Sequence, residues 1–238
     1  MPTLTAVMSE LKKKGKEQTR KLYARHGMDP QRVYGVSVAD LKLIAKTIKD
    51  QHELACALYE TGNMDAMYLA GMVADGSRLT RDQLEKWAKS AVGLQMISEH
   101  TVPWLAVESP LARDLAVDWM NSKEPAIAAS GWATYAGLLA TKPDEELDLK
   151  EIRTLLHRIP NEIGAAPNRV KLTMNNFVIT AGTYVIPLLK EAKAAAQKLG
   201  TVDVDMGETA CKVPLASAYI DKAGKSGKVG KKRKTLRC

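Results

Sequence analysis

The sequence has almost no aromatic bulk: one Phe among 238 residues, and 5% aromatic residues in all. A core built from it relies on Ala and Leu, whose small and regular side chains suit closely packed helix pairs. Cysteine is scarce too. Cys56, Cys211 and Cys238 are an odd number without metal-type spacing. Cys56 stands in an apolar helical stretch and is expected to be a buried thiol. Cys211 and Cys238 approach each other only if the tail folds back, and a reducing compartment disfavours a structural disulfide. No apolar run approaches the roughly 20 residues that span a bilayer. The N-terminus passes from "MPTLTAVM" straight into "SELKKKGKEQTRK", without the pattern of a leader. The expectation is a soluble, cytoplasmic protein with no membrane partner. His26, His52, His100 and His157 are scattered and form no H-E-x-x-H pattern. "DVDMGE" lacks the further ligands of a calcium loop. No metal and no cofactor is therefore expected. No serine elbow and no glycine-rich phosphate loop after a strand appears. Strand signals are nearly missing; the one candidate is "TVDVDMG", where Val202, Val204 and Met206 alternate with Asp203 and Asp205.

What is present is charge, unevenly placed. The chain has 35 Lys and Arg against 27 Asp and Glu. From Lys222 onward, "KAGKSGKVGKKRKTLRC" holds eight basic residues and no acid, so the rest is formally neutral. Such a run is either a mobile solvated segment or a surface for phosphates, where cations release condensed counterions. On the second reading Lys228, Lys231, Lys232, Arg233, Lys234 and Arg237 are candidate nucleic-acid contacts, and Gly224, Gly227 and Gly230 keep the arm pliable.

The body reads as helix after helix. In "SVADLKLIAKTIK", Val38, Leu41, Ile44, Ala45 and Ile48 share one face behind an N-cap at Ser37. Thr80 and Gln83 have capping-box spacing ahead of Leu84, Trp87 and Ala91. Ser109 and Pro110 predict a helix start, as does Pro125. "PDEELDLKEIRTLLHRI" begins acidic and ends basic, as the helix dipole favours. "YVIPLLKEAKAAAQKLG" closes on Gly200. Short helices with short turns predict an all-α fold, a bundle or stacked helical hairpins, with residues 1–200 as one helical domain and 201–238 as a C-terminal extension.

Two polar clusters interrupt the apolar pattern. In "GLQMISEHTVPW", Gln95, Ser98, Glu99 and His100 stand close to Trp104, and Gln95 and Glu99 share a helix face. They either face solvent and cap, or line a site. In "RVKLTMNNFVITAG", Asn175 and Asn176 sit beside Phe177 in an apolar helix. Buried asparagines need partners, so these form an internal network or face a ligand.

"VYGVSVADLKLIAKTIK", "DAMYLAGMVAD", "WLAVESPLARDLAVDWMNS" and "GWATYAGLLA", in this order, resemble the DNA alkylation repair proteins of the AlkD type over most of residues 30–190. The closing "VDVDMGETACKVPLASAYIDKAGKSGKVGKKRKTLRC" resembles a C-terminal extension of a subgroup. The resemblance implies a HEAT-like helical solenoid, a curved array of antiparallel helix pairs around duplex DNA, damaged or of unusual shape, and favours a monomer. It also implies an N-glycosylase for alkylated purines that works without base flipping, unlike most enzymes acting on bases. That chemistry uses a Trp, an Asp four residues on, an Arg from the next repeat and a later Trp, the carboxylate stabilising an oxocarbenium-like sugar. Here the first Trp falls on Leu94 or Gln95, the Asp on Ser98 or Glu99, the Arg near Ala129, and the later Trp near Asn176 or Phe177. Glu99 is the one candidate catalytic residue. Gln95, Ser98, Trp104, Asn175, Asn176 and Phe177 are expected along the groove. The alternatives are a non-catalytic scaffold for unusual DNA or RNA, and a protein-binding solenoid.

Overall fold

The computed structural model describes residues 2–237; any approach of Cys238 to Cys211 lies outside them. The described residues hold thirteen α-helices and no strand, the expected all-α class. They form two compact units. The first takes the chain up to Leu111, with Gly207–Ala210 and Arg237. Its helices are α1 (Leu4–Lys14), α2 (Glu17–Arg25), α3 (Val38–Thr47), α4 (His52–Glu60), α5 (Met64–Val73), α6 (Arg81–Ser90) and α7 (Val102–Glu108). The second unit is Ala112–Met206 with Cys211–Leu236. It contains α8 (Ala112–Met120), α9 (Pro125–Thr141), α10 (Leu149–Glu162), α11 (Asn168–Tyr184), α12 (Leu189–Leu199) and α13 (Ala216–Lys225). The compact units thus divide inside residues 1–200, and the extension contributes to both.

Local signals explain most boundaries. Ser37 accepts the Asp40 N–H at the start of α3. Thr80 and Gln83 bond reciprocally ahead of α6, at 3.2 and 2.9 Å. Gly200 ends α12 with φ of 57°. Two starts differ from expectation. Ser109 closes α7, and its hydroxyl accepts the Leu111 N–H at 3.2 Å, so a turn precedes α8 at Ala112. The acidic stretch Asp144–Glu146 makes its own 3-10 turn, and α10 begins after Asp148, whose carboxylate caps Glu151.

The one candidate strand, at 201–207, does not form. Val202 and Val204 are buried while Asp203 and Asp205 are exposed, so the alternation is real. No second strand pairs with it. The Asn168 side-chain amide does: its oxygen accepts the Asp205 N–H at 2.7 Å and its nitrogen donates to the Asp205 carbonyl at 2.8 Å.

In the first unit Tyr59 stacks on Trp87, with ring centroids 3.7 Å apart, and Leu58, Leu69 and Leu84 are fully buried. Asp65, fully buried at the start of α5, accepts three backbone N–H groups, from Tyr34 at 2.6 Å, Gly35 at 3.1 Å and Val36 at 2.9 Å. Burial pushes its carboxyl up, against the pull of those bonds. In the second unit Trp132 and Tyr135 meet Phe177 edge-on at 5.4 and 5.7 Å. Helix α9 lies against α8 at Gly131, where a methyl group would sit 2.4 Å from the Met120 nitrogen. A side chain there would push the pair apart.

Candidate nucleic-acid interface

The polar cluster of the first unit is built on a departure from α-helical geometry. Residues Ile97–Thr101 form a π turn leading into α7, and the Val102 N–H reaches back to the Ile97 carbonyl. Pro103 gives the reason. It has no N–H to bond the Glu99 carbonyl, and its ring crowds that oxygen in a regular helix. The widened turn carries one extra residue, and such bulges recur at functional positions. Glu99 is half-buried in it and His100 is exposed. The His100 ring is tilted over Trp104, with centroids 6.0 Å apart.

Trp104 itself is turned inward. It is buried, edge-on to Tyr68 at 5.1 Å, so it offers no face for stacking. Ser98 is also buried; its hydroxyl leans toward the Gln95 carbonyl at 3.4 Å. Thr101 packs on α5 at Gly71, where a methyl group would lie 2.7 Å from its Cγ2. Gln95 is half-buried, and its Oε1 is sealed from solvent without a hydrogen-bond partner. Its Nε2 lies 3.5 Å from where a side chain on Gly27 would begin, next to the end of α2. Gln95 thus lies against the turn that follows α2, and Glu99 stands in the widened turn. Trp104 and Ser98 belong to its inner wall rather than to a groove.

The second cluster divides between core and surface. Asn175 is fully buried, and its Nδ2 donates to the Pro214 carbonyl at 2.8 Å. It anchors the C-terminal extension, the network role among the two expected. Asn176 is exposed. Phe177 is fully buried between Trp132 and Tyr135, so the expectation of a groove position does not hold for it. Ala129 is likewise sealed, in α9.

The tail is fastened at several points. The Gly230 N–H donates to the Thr183 carbonyl at 2.9 Å and the Arg233 N–H to the Ala140 carbonyl at 2.7 Å. Lys232 donates to the Leu139 carbonyl at 2.9 Å and pairs with Asp144 at 2.7 Å. Arg237, in the first unit, pairs with Glu108 and bonds the Met72 carbonyl at 3.3 Å. Lys232 and Arg237 are therefore fasteners, which corrects their place among phosphate contacts. Lys228, Lys231, Arg233 and Lys234 keep exposed side chains.

A basic surface that sequence reasoning passed over lies at the other end. Residues 11–25 hold seven Lys and Arg and one acid, Glu17. Glu17 pairs with Arg20 at 2.6 Å, and Lys14 pairs with Asp40 at 3.2 Å. Lys12, Lys13, Lys16, Lys21 and Arg25 are exposed. The signal was the run "KKKGKEQTRK" itself.

Other chemistry-bearing groups are accounted for locally. Cys56, expected to be buried, is half-buried with its Sγ 3.5 Å from His52 Nε2. His52 Nδ1 accepts the Asp75 N–H at 3.1 Å, so a neutral ring carries its proton on Nε2, facing the sulfur. Burial pushes the thiol up, and the ring is not placed to take its proton. Among the described residues no three His, Cys, Asp or Glu side chains are grouped so as to hold a metal ion.

The family model described as DNA alkylation repair enzyme matches residues 7–191. An uncharacterized protein of Listeria monocytogenes, Lmo0209, is 33% identical over 228 residues, covering 94% of this chain and 98% of its own. An uncharacterized protein of Listeria innocua, Lin0241, is 32% identical with the same coverage. A solved structure from a new family of proteins related to the HEAT-like repeat DNA glycosylases, with affinity for branched DNA structures, superposes with a TM-score of 0.89. It is 35% identical and covers 99% of this chain and 100% of its own.

Proposed function

Because the chain belongs to the DNA alkylation repair enzyme family and shares the HEAT-like fold of the DNA glycosylase relatives, we propose that it binds DNA of branched or otherwise non-linear shape without excising bases. One observation carries this: Ala129, where the resemblance places a working Arg, is sealed inside α9. No cation can act from that position. Of the two residues on which the later Trp falls, Phe177 belongs to the core and Asn176, though exposed, has no aromatic ring. The preference for branched DNA comes from the solved relative, which matches along its whole length. Backbone contacts supply affinity and position, and the shape of the nucleic acid supplies discrimination.

A second reading keeps the glycosylase, with Glu99 in the widened turn as its carboxylate. Two measurements separate the readings. The first is affinity for a four-way junction against a linear duplex of equal length at fixed salt. The second is release of alkylated purine from methylated duplex. Junction preference of about tenfold, roughly 1.4 kcal/mol, with no purine released is the expected outcome. Purine release that disappears in Glu99→Gln overturns it. Equal affinity for the two DNAs removes the shape preference.

A further inference from the structure

Helix α2 is a poor helix by the rules of internal stability. Tyr23 is its only buried residue, so packing contributes little. Lys21 and Arg25, four residues apart, put like charges on one face, which is unfavourable in isolation. Lys12 and Lys13 extend the charge from the end of α1, and Lys16 stands in the corner between the two helices.

The corner is nonetheless held rigidly from below. The Tyr23 hydroxyl donates to the Val36 carbonyl at 3.1 Å, and burial together with the Asp65 charge pushes it up to about 12. The Lys16 N–H donates to the Gly35 carbonyl at 3.0 Å. Gly35 has φ of 83°, and a methyl group there would strike the Lys16 carbonyl at 2.5 Å. Gly35 is in turn one of the three residues whose N–H groups Asp65 collects. A buried carboxylate thus fixes the loop, the loop fixes the corner, and the corner displays more cations than the acids Glu10, Glu17 and Asp40 beside them can offset. Glu17 and Asp40 are already paired, to Arg20 and Lys14. Glu208 also reaches this end, its N–H donating to the Arg25 carbonyl at 3.2 Å. The far end of α2 adjoins Gln95, so this surface runs toward the widened turn.

We infer that the α1–α2 corner is a phosphodiester-binding surface, with Lys12, Lys13, Lys16, Lys21 and Arg25 as its contacts. It rests on the reading that the protein binds DNA. Rigid cations at fixed spacing suit a phosphate backbone, which repeats its charge along the strand. Carried on a hydrogen-bonded backbone, they lose less chain entropy on binding than a free arm would.

The test uses the full chain and fluorescence anisotropy with a labelled four-way junction and a labelled linear duplex, across a range of salt. Two variants are compared. One replaces Lys12, Lys13, Lys16 and Lys21 by Ala. The other removes the same charge from scattered exposed positions, Lys89, Lys123, Lys150 and Lys198. The corner variant is expected to lower the slope of log K against log salt by about 3 to 4, at about 0.9 per contact. The scattered variant is expected to change it by less than about 1. Unchanged far-UV circular dichroism and Tm establish that both are folded. Equal slopes in wild type and corner variant overturn the inference and leave DNA binding standing, as do equal losses in the two variants. Absence of any wild-type binding at low salt overturns both.

Discussion

The two ends of the chain look alike as sequence. One has "KKKGKEQTRK" and the other "KSGKVGKKRK", each basic and interrupted by glycine. Folded, they differ. At the N-terminus the cations stand on helices and around a corner whose backbone is fixed from beneath by Asp65. At the C-terminus the chain runs as a strap without helix after α13, fastened by its own charges: Lys232 on Asp144, Arg237 on Glu108. A run's formal charge is therefore an upper bound on the charge offered to a partner. What remains depends on which acids the fold brings to it.

The largest way to break this comparison is Asp65→Ala. It leaves three N–H groups in the Tyr34–Val36 loop without their acceptor, at about 1–3 kcal/mol for each that stays buried and unsatisfied. A loss of roughly 3 kcal/mol or more in urea unfolding is expected, a large part of a typical domain stability of about 5–15 kcal/mol. The corner's share of the salt slope should fall with it, while the strap's share persists. Unaltered stability would show that the loop is held by other contacts.

Replacing Lys231, Arg233 and Lys234 by Ala tests the strap as a phosphate surface. The salt slope should fall by about 2 to 3 with Tm nearly unchanged, because these side chains are exposed. Lys232→Ala should do the opposite. It removes a half-buried ion pair and a bond to the Leu139 carbonyl, costing about 1 kcal/mol, and leaves the slope where it was. If the two variants behave alike, fasteners and contacts are not distinct.

Glu99→Gln should change DNA affinity by no more than about twofold, roughly 0.4 kcal/mol, and in the favourable direction, since one negative charge near a polyanion is removed. A tenfold loss of junction affinity in an anisotropy titration would instead make the widened turn a direct contact.

The smallest effect concerns Asp40, which neutralises Lys14 at the corner. Its carboxyl is held below the usual carboxylate range by the Ser37 hydroxyl and then by Lys14. A depressed folded pKa gives stability that is present above the unfolded value of about 3.9 and lost as pH falls through the folded one. An NMR titration should place the Asp40 midpoint below that value, and Lys14→Ala should raise it. A midpoint that ignores Lys14 would mean that Lys14 belongs with the free cations.

Much was legible in the residues. The caps at Ser37 and Thr80, the start at Pro125 and the stop at Gly200 follow from local chemistry that tertiary packing does not overrule. Trp104 and Phe177 were misplaced because an aromatic beside polar residues reads the same whether it faces in or out. Asn175 carried two readings, and Pro214, 39 residues later, decided between them. The N-terminal basic run is visible in the sequence, but the neutral formal total of residues 1–221 hides it.

The sequence by itself determined that the chain is helical, where many helices begin and end, and how much charge it carries. These depend on side chains within a turn or two of one another. Only the tertiary structure decided which charges remain available. Lys232 finds the Leu139 carbonyl across 93 residues and Arg237 finds Glu108 across 129. Ion pairs and buried hydrogen bonds depend on distance in space, and neither periodicity nor composition encodes which distant groups a fold will bring together.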